Sequence, residues 1–344
     1  GFFCLFSCLC NFRNRVSVQN KTMPEIKSWR NLIGNTPLVK LERIFSNQGI
    51  NLYAKLEQFN LGGSIKDRPA LMMIEEAVRE GKVKQGATVI ESSSGNMGIA
   101  LAYVCLYYGL DFIAVVDSRT TKVNIEILKA LGAKIEMIDW RGKTTGSFLE
   151  ARFERVKQLL NEIPGSFWPN QHANENNPRA HHQTMEEIDK ALRGKVDYLF
   201  CAASTCGTLR GCFEYIEQKN LNTKIIVVDA EGSVIFGGTN GDRLIPGHGS
   251  AIRPAIYHEG IADKVVYVND AECVAGCRLL LKKESILAGG SSGAIISGFA
   301  KVKKDIPKNS NIVIILPDRG ERYLDTIYNP EWVSKNLREI PLLL

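Results

Sequence analysis

The 344-residue sequence predicts an α/β protein with doubly wound sheets, and three observations carry that reading. Short runs rich in β-branched residues alternate with longer runs of helical apolar spacing, from about residue 51 to residue 316. The connections between them are short, which predicts parallel strands joined by crossover helices. Several strands run directly into Ser/Gly-rich loops that open the next helix. At roughly 100–200 residues per domain the length implies two domains, and a hydrophobic content of 44% is enough for buried cores and excludes a disordered chain.

Composition excludes some functions. The net charge is +6, but the basic residues are dispersed and form no block or nucleic-acid motif, so the excess reads as a solvated surface with a mild preference for anionic substrates. Residues 1–10 are apolar and cysteine-rich, yet too short to span a bilayer and not preceded by the charged region of a signal peptide. Residues 1–22 are therefore read as a tail outside the fold, with Met23 as a start, and no membrane association is expected. Cys4, Cys8 and Cys10 lie in that tail; Cys105, Cys201, Cys206, Cys212, Cys273 and Cys277 mostly sit in apolar contexts and read as reduced, buried thiols of a cytoplasmic protein.

In chain order, a short helix after residue 25 leads to the turn Gly34-Asn35-Thr36-Pro37 and strand-like residues 38–41. Residues 51–57 alternate, with Leu52, Ala54 and Leu56 on one face of a strand. The loop Asn60-Leu61-Gly62-Gly63-Ser64-Ile65-Lys66-Asp67-Arg68 follows, and a helix over 69–82 carries the stripe Leu71, Ile74, Ala77 and Val78. Lys66 thus stands at a helix N-terminus, whose exposed N–H groups disfavour a cation. Position alone leaves two readings: an amine that loses its proton readily and acts as a nucleophile, or a surface lysine paired with Asp67.

Residues 88–91 form a buried strand, Ser92-Ser93-Ser94-Gly95-Asn96-Met97-Gly98 a loop, and residues 99–108 an apolar helix ended by Gly109. The loop could present hydroxyls and N–H groups to a small anion such as a carboxylate, or a serine could simply cap the helix. Strand 111–116, helix 123–131 and strand 134–138 continue the alternation. The amphipathic helix 147–161 contains Arg152, which by position alone reads as a surface arginine. Asn170-Gln171-His172-Ala173-Asn174 reads as a polar loop at a domain crossing. His172, His181 and His182 lack cysteine or carboxylate partners at ligand spacing, so no metal site is expected.

Strand 197–203 enters Ser204-Thr205-Cys206-Gly207-Thr208 and a helix to residue 219, the arrangement a phosphate cradle requires. It has no Walker signature, and no G-x-G-x-x-G follows any strand, which weighs against an NAD-dependent dehydrogenase. Strand 224–229 precedes a polar, glycine-rich excursion over 230–250. Strand 264–268 and a helix over 270–283 with an Asp270 cap follow. The loop Gly289-Gly290-Ser291-Ser292-Gly293 precedes a helix from 294, and residues 311–316 are the last strand. Such loops gather at the carboxyl ends of the strands in open α/β sheets. A lysine amine, a carboxylate loop and a phosphate cradle together describe a pyridoxal phosphate enzyme acting on an amino acid.

Several motifs then resemble one family in collinear order over about residues 27–330. Residues 60–68 resemble the N-P-G-G-S-x-K-D-R signature of the cysteine synthase/cystathionine β-synthase family, the fold type II pyridoxal phosphate enzymes with a tryptophan synthase β-like fold. Ser93-Ser94-Gly95-Asn96 resembles its T-S-G-N loop, Gln171 its active-site glutamine, 289–293 its G-x-S-S-G loop, and Pro317 with 320–323 its C-terminal block. Residues 228–237 and 316–320 are similar to a branch that joins O-phospho-L-serine to L-glutamate, giving N-(2-amino-2-carboxyethyl)-L-glutamate for 2,3-diaminopropionate and siderophore biosynthesis. Ser204 and Arg152 agree with that branch. His172 replaces its tyrosine, Met97 the family's usual threonine and Leu61 its proline.

The resemblance implies roles. Lys66 would hold pyridoxal 5'-phosphate and move the Cα proton. Ser93, Ser94, Gly95 and Asn96 would bind the substrate carboxylate, with Asn96 also near the ring hydroxyl, and Gln171 and His172 would line the substrate side. Ser204, Thr205, Cys206, Gly207 and Thr208 would bind the cofactor phosphate, Ser204 also facing substrate. Ser291 would meet the ring nitrogen and Arg152 the leaving phosphate. A smaller, substrate-closing domain over 59–170 would be inserted in a larger cofactor domain over 23–58 and 171–335, in a homodimer. The alternatives are a cysteine synthase using sulfide, a dehydrogenase, and a non-catalytic relative.

Overall fold

The computed structural model describes residues 28–46, 49–138, 148–337 and 339–343. The expectations for residues 1–22 and Met23 lie outside these. Two sheets organise the chain. The larger contains β1 (Leu38–Lys40), β2 (Asn51–Leu56), β6 (Tyr198–Ala202), β7 (Lys224–Ala230), β8 (Lys264–Val268) and β9 (Asn311–Leu316), in the order β1-β2-β9-β6-β7-β8. All its neighbours pair in parallel except β1, which runs antiparallel to β2 at one edge. The smaller contains β3 (Thr88–Glu91), β4 (Asp111–Asp117) and β5 (Lys134–Ile138), all parallel, and lies wholly between residues 59 and 170.

Parallel strands need crossovers, and helices cover both faces of each sheet. In the larger sheet successive side chains divide between two cores, as a strand's period of two demands. Phe200, Ile226, Val228, Ile312 and Ile314 pack with α7 (Asp270–Glu284) and α8 (Gly290–Val302). Leu199, Cys201, Ile225, Val227, Val313 and Ile315 pack on the opposite face with α5 (Asn176–Leu192) and α6 (Gly207–Gln218). The smaller sheet divides likewise. Val89, Phe112 and Ala114 meet α1 (Asp67–Arg79), α2 (Asn96–Tyr108) and α3 (Lys122–Ala130), whereas Ile90, Ile113 and Val115 meet α4 (Phe148–Glu162).

Strands 88–91, 134–138, 264–268 and 311–316 fall where the alternation predicts them. Three local readings are corrected. Helix α7 is capped by Asn269, not Asp270: the Asn269 carboxamide accepts from the Glu272 N–H at 3.0 Å while Glu272 reaches back to the Asn269 N–H at 2.9 Å. Helix α8 begins at Gly290, so Ser291 lies in its first turn rather than in a preceding loop. Helix α5 occupies a stretch read only as polar loop and scattered histidines. Its buried residues are Asn177, Pro178, Ala180, His181, Thr184, Met185 and Ile188, a helical period in which three of the seven are polar. A short final helix, α9 (Pro330–Asn336), was also not anticipated. The six described cysteines are free and buried. Among the described residues no helix is long and apolar enough to cross a membrane.

Candidate active site

Lys66 is the N-cap of α1, at the end of a loop fixed from both sides. The Asn60 carboxamide accepts from the Gly34 N–H at 2.7 Å and donates to the Glu57 carboxylate at 2.9 Å. Gly63 turns the chain at φ +81°, a conformation that favours glycine. Ile65 N–H donates to the Pro317 carbonyl at 2.8 Å, and Ser64 bridges Asp318, so the lysine loop is stitched to the end of β9. Burial pushes the Lys66 ammonium down, against an opposing pull from the Asp318 carboxylate and the Cys206 thiol. The amine is thus predisposed to lose its proton, and the leading cause is removal from water rather than the helix end considered from the sequence. The surface pair with Asp67 is excluded: Asp67 is buried, accepts the Gly62 N–H, and is itself pushed up to about 7 by burial.

The loop Ser204–Thr208 lines the same pocket as Lys66, together with Gly247 and Pro317. It follows β6 and opens α6, with Cys206 held in the left-handed region at φ +65°. Its hydroxyls are positioned from behind by α5. The Asn177 carboxamide donates to Thr205 Oγ1 at 3.3 Å, and Thr208 Oγ1 meets His181 Nε2 at 3.3 Å. His181 Nδ1 meets Thr184 Oγ1 at 3.2 Å. Burial holds His181 well below its usual pKa, so it is neutral, and one ring nitrogen donates to its threonine while the other accepts. The cradle therefore offers N–H groups and neutral hydroxyls at a helix N-terminus, the donor set for a phosphate. Ser291 is buried, and Gly247, at φ +102°, leaves open the space before it: a Cβ at Gly247 would lie 3.6 Å from the Ser291 hydroxyl.

The third group stands at the carboxyl ends of the smaller sheet. Ser93 Oγ accepts the Gly98 N–H at 3.0 Å, which ties the loop to the first turn of α2. Ser94 Oγ accepts from Arg152 at 3.4 Å, and the Arg152 Nε lies 3.5 Å from Asp117. Arg152 is not a surface residue: its side chain is 12% exposed, and burial pushes its guanidinium down despite Asp117. Gln171 is buried; its N–H donates to Glu91 at 3.2 Å and its carbonyl accepts from Asn177 at 2.7 Å. His172 packs edge-on against Phe153 at 5.5 Å, and its buried Nδ1 has no hydrogen-bond partner among the described residues. Burial, then the Arg152 and Lys66 charges, hold it down at about 4, so it is a neutral imidazole facing both cations. His182 instead pairs with Glu214 at 2.9 Å, so the three histidines go to three separate places. Among the described residues no group of carboxylates, cysteines and histidines is arranged to hold a metal.

Two residues given no role from the sequence complete the site. The buried Asp318 carboxylate accepts from Tyr323 OH at 2.6 Å and from the Asn96 carboxamide at 2.8 Å. Asn96 Oδ1 in turn accepts from Arg322, which also donates to the Gly62 carbonyl. The Asn96 amide is thereby fixed in orientation beside the lysine loop. Glu91 likewise gathers the Ser92 N–H at 2.8 Å, Trp168 Nε1 at 3.0 Å and the Gln171 N–H, joining the ends of β3 and the 168–171 segment. Asp318 had a visible signal, its place in the 317–323 block; Glu91 had none beyond ending a strand. A deprotonable lysine, a neutral phosphate cradle and a buried serine hydroxyl in front of an open glycine fit pyridoxal phosphate, through its aldehyde, phosphate and ring nitrogen.

Comparison with known proteins agrees with this fit. The family described as "Pyridoxal-phosphate dependent enzyme" matches residues 30–318. N-(2-amino-2-carboxyethyl)-L-glutamate synthase of Ralstonia nicotianae is 43% identical over 310 residues, covering 90% of this chain and 91% of that protein. Among solved structures, O-ureido-L-serine synthase superposes with a TM-score of 0.83 at 28% identity, covering 92% of this chain and 97% of that one. The O-acetylserine dependent cystathionine beta-synthase of Helicobacter pylori gives 0.82 at 32% identity, covering 89% and 100%.

Proposed function

This chain belongs to the pyridoxal-phosphate dependent enzymes, with the fold type II architecture and β-replacement chemistry of the cysteine synthase group, and we propose that it joins O-phospho-L-serine to L-glutamate. The product would be N-(2-amino-2-carboxyethyl)-L-glutamate, with inorganic phosphate released, on a route to 2,3-diaminopropionate and siderophores. In this reaction the Cβ–O bond of phosphoserine breaks, a Cβ–N bond to the glutamate amine forms, and the proton removed from Cα returns there. Pyridoxal phosphate supplies electron withdrawal from Cα, which lets one group leave Cβ and another add.

The residues divide the remaining work. Lys66, lowered by burial, holds the cofactor and then carries the Cα proton as base and acid. Ser204 to Thr208 hold the cofactor phosphate, with Thr208 set by the neutral His181. Ser291 would offer the ring nitrogen a neutral hydroxyl, which would leave the ring a weaker electron sink suited to elimination and replacement. Ser93, Ser94, Gly95 and Asn96 receive the substrate carboxylate, Asn96 in the orientation that Asp318 and Arg322 impose. Gln171 and His172 line the substrate side. The smaller-sheet unit, residues 59–170, closes on the substrate, and the enzyme acts as a homodimer in the cytoplasm.

The observation that carries the phosphoserine reading is Arg152. A largely buried guanidinium held beside Ser94, with its Nε given no hydrogen-bond partner among the described residues, suits a phosphate leaving group that needs charge-assisted donors. Product analysis tests it. Purified enzyme given O-phospho-L-serine should release phosphate and form the glutamate adduct, and Arg152→Gln should lose that activity. The second reading, a cysteine synthase, draws on the solved cystathionine beta-synthase relative and on His172 standing where the phosphoserine branch carries tyrosine. Turnover with sulfide but not with L-glutamate would establish it instead.

A further inference from the structure

The excursion after β7 returns to the pocket as a strap over residues 244–250, most of which has no role so far. Gly247 lines the pocket with Lys66 and the Ser204–Thr208 loop, and it fronts Ser291. The strap is gripped on both sides of that glycine. Before it, Asp270 in the first turn of α7 accepts the Leu244 and Ile245 N–H groups at 2.9 and 3.0 Å. After it, the Gly249 N–H donates to the Ala203 carbonyl at 2.7 Å, between the end of β6 and the cradle. His248 stands next to Gly247, and its Nε2 meets Cys273 Sγ at 3.4 Å. Cys273 lies about one turn beyond Asp270, so both grips come from one face of α7.

The pair is enclosed: Cys273 is 0% exposed and His248 3%. The His248 Nδ1 has no hydrogen-bond partner among the described residues, so the ring is held through Nε2. Burial lowers His248 to about 4 and pushes the Cys273 thiol well up. Both groups are therefore neutral, and the thiol is no nucleophile. Their contact is a neutral hydrogen bond. A leucine would fill the same space without leaving a ring nitrogen unpaired, so packing alone does not account for a histidine here. Helix α7 is in turn locked to α8: a Cβ at Gly293 would run into the Cys273 carbonyl, and Ser291 lies one turn of chain away in the same segment. Cys273 thus touches the strap through its thiol and the helix of Ser291 through its backbone.

We propose that His248 is a positioning residue for the cofactor ring: through Cys273 it holds Gly247 at a fixed clearance in front of Ser291, so that the ring nitrogen and the Ser291 hydroxyl meet in one geometry. Gly247, not His248, lines the pocket, so His248 acts through its neighbour. This requires the cofactor alone and neither of the substrates proposed above, so its failure and theirs are separate results.

The test uses the cofactor-loaded enzyme with His248→Leu, Cys273→Ala, the two together, and Cys273→Ser. It reads the absorption maximum of the bound pyridoxal phosphate and the cofactor dissociation constant. His248→Leu and Cys273→Ala should each shift the maximum and raise the dissociation constant about tenfold. The double variant should bind within about twofold of the weaker single variant, since both substitutions remove the same bond. Cys273→Ser, whose hydroxyl can still meet His248, should recover most of the affinity. Urea unfolding separates a packing role. Lost stability with an unmoved maximum, and a dissociation constant within about twofold of wild type in both single variants, would overturn the proposal. Effects that multiply in the double variant would overturn it as well. If His248→Leu does not fold, Cys273→Ala and Cys273→Ser decide: equal cofactor affinity in the two removes the role of the His248 bond.

Discussion

Lys66 and Arg68 are two residues apart at the start of α1, and the fold treats their charges in opposite ways. Arg68 is surrounded by carboxylates: its Nε meets Glu57 at 2.7 Å and its Nη1 meets Glu187 at 2.8 Å, with Thr36 at the edge. Burial works against its charge, yet Glu57 and Glu187 outweigh it and raise its pKa. Lys55 joins the same cluster through Glu187 at 2.6 Å. Lys66 faces the pocket instead, makes no ion pair among the described residues, and is lowered by burial, with only Asp318 and Cys206 opposing. At Arg68 the carboxylates outweigh burial; at Lys55 and Lys66 burial outweighs them, and of these three Lys66 faces the pocket. The same backbone turn thus carries an anchor on one side and a reactive group on the other.

The contrast can be broken most sharply at Lys66 itself. Lys66→Ala should abolish turnover, since no other described lysine lines the pocket; full activity in that variant would remove the central assignment. Next comes the anchored side. Arg68→Met leaves Glu57 buried without its partner and should cost about 3–5 kcal/mol of stability, read from urea unfolding. A loss below 1 kcal/mol would mean the cluster is not the anchor its geometry describes.

Acid should expose the neutral histidines around the site. His172 and His248 are each lowered to about 4 by burial, against 6.5 when exposed. Above pH 6.5 neither folded nor unfolded chain binds these protons, so their stabilisation is complete. Between pH 6.5 and 4 only the unfolded chain takes them up, so stability falls as pH falls, by up to about 3 kcal/mol per histidine. His172→Gln should flatten that part of the stability–pH curve, and an unaltered slope would show that His172 titrates normally. The smallest effect concerns Asp318. Asp318→Asn removes the carboxylate that raises Lys66, so the pH at which the apoenzyme lysine becomes reactive toward an amine reagent should drop by on the order of one unit. A rise would reverse the assigned sign.

Most of the fold was legible because it rests on local periodicity. Val89 and Ile90, or Ile312 and Val313, show alternation within a few residues, and both faces of a parallel strand are apolar by necessity. Helix α5 was not legible, because Asn177, His181 and Thr184 occupy its buried stripe. They are polar in order to hold Thr205 and Thr208, so the feature that hides the helix is the one that builds the cradle. Arg152 was misread for a related reason: nothing near it in the chain reports that Asp117 and Ser94 will enclose it.

The sequence by itself determined the alternation of strand and helix, the glycine- and serine-rich loops at strand ends, and the lysine that one of them carries, since each depends on residues adjacent in the chain. Tertiary structure alone decided which charges are buried and which are paired. Desolvation and Coulomb energy depend on distance in space, and the partners here, Asp318 to Asn96 or Arg68 to Glu187, are more than a hundred residues apart.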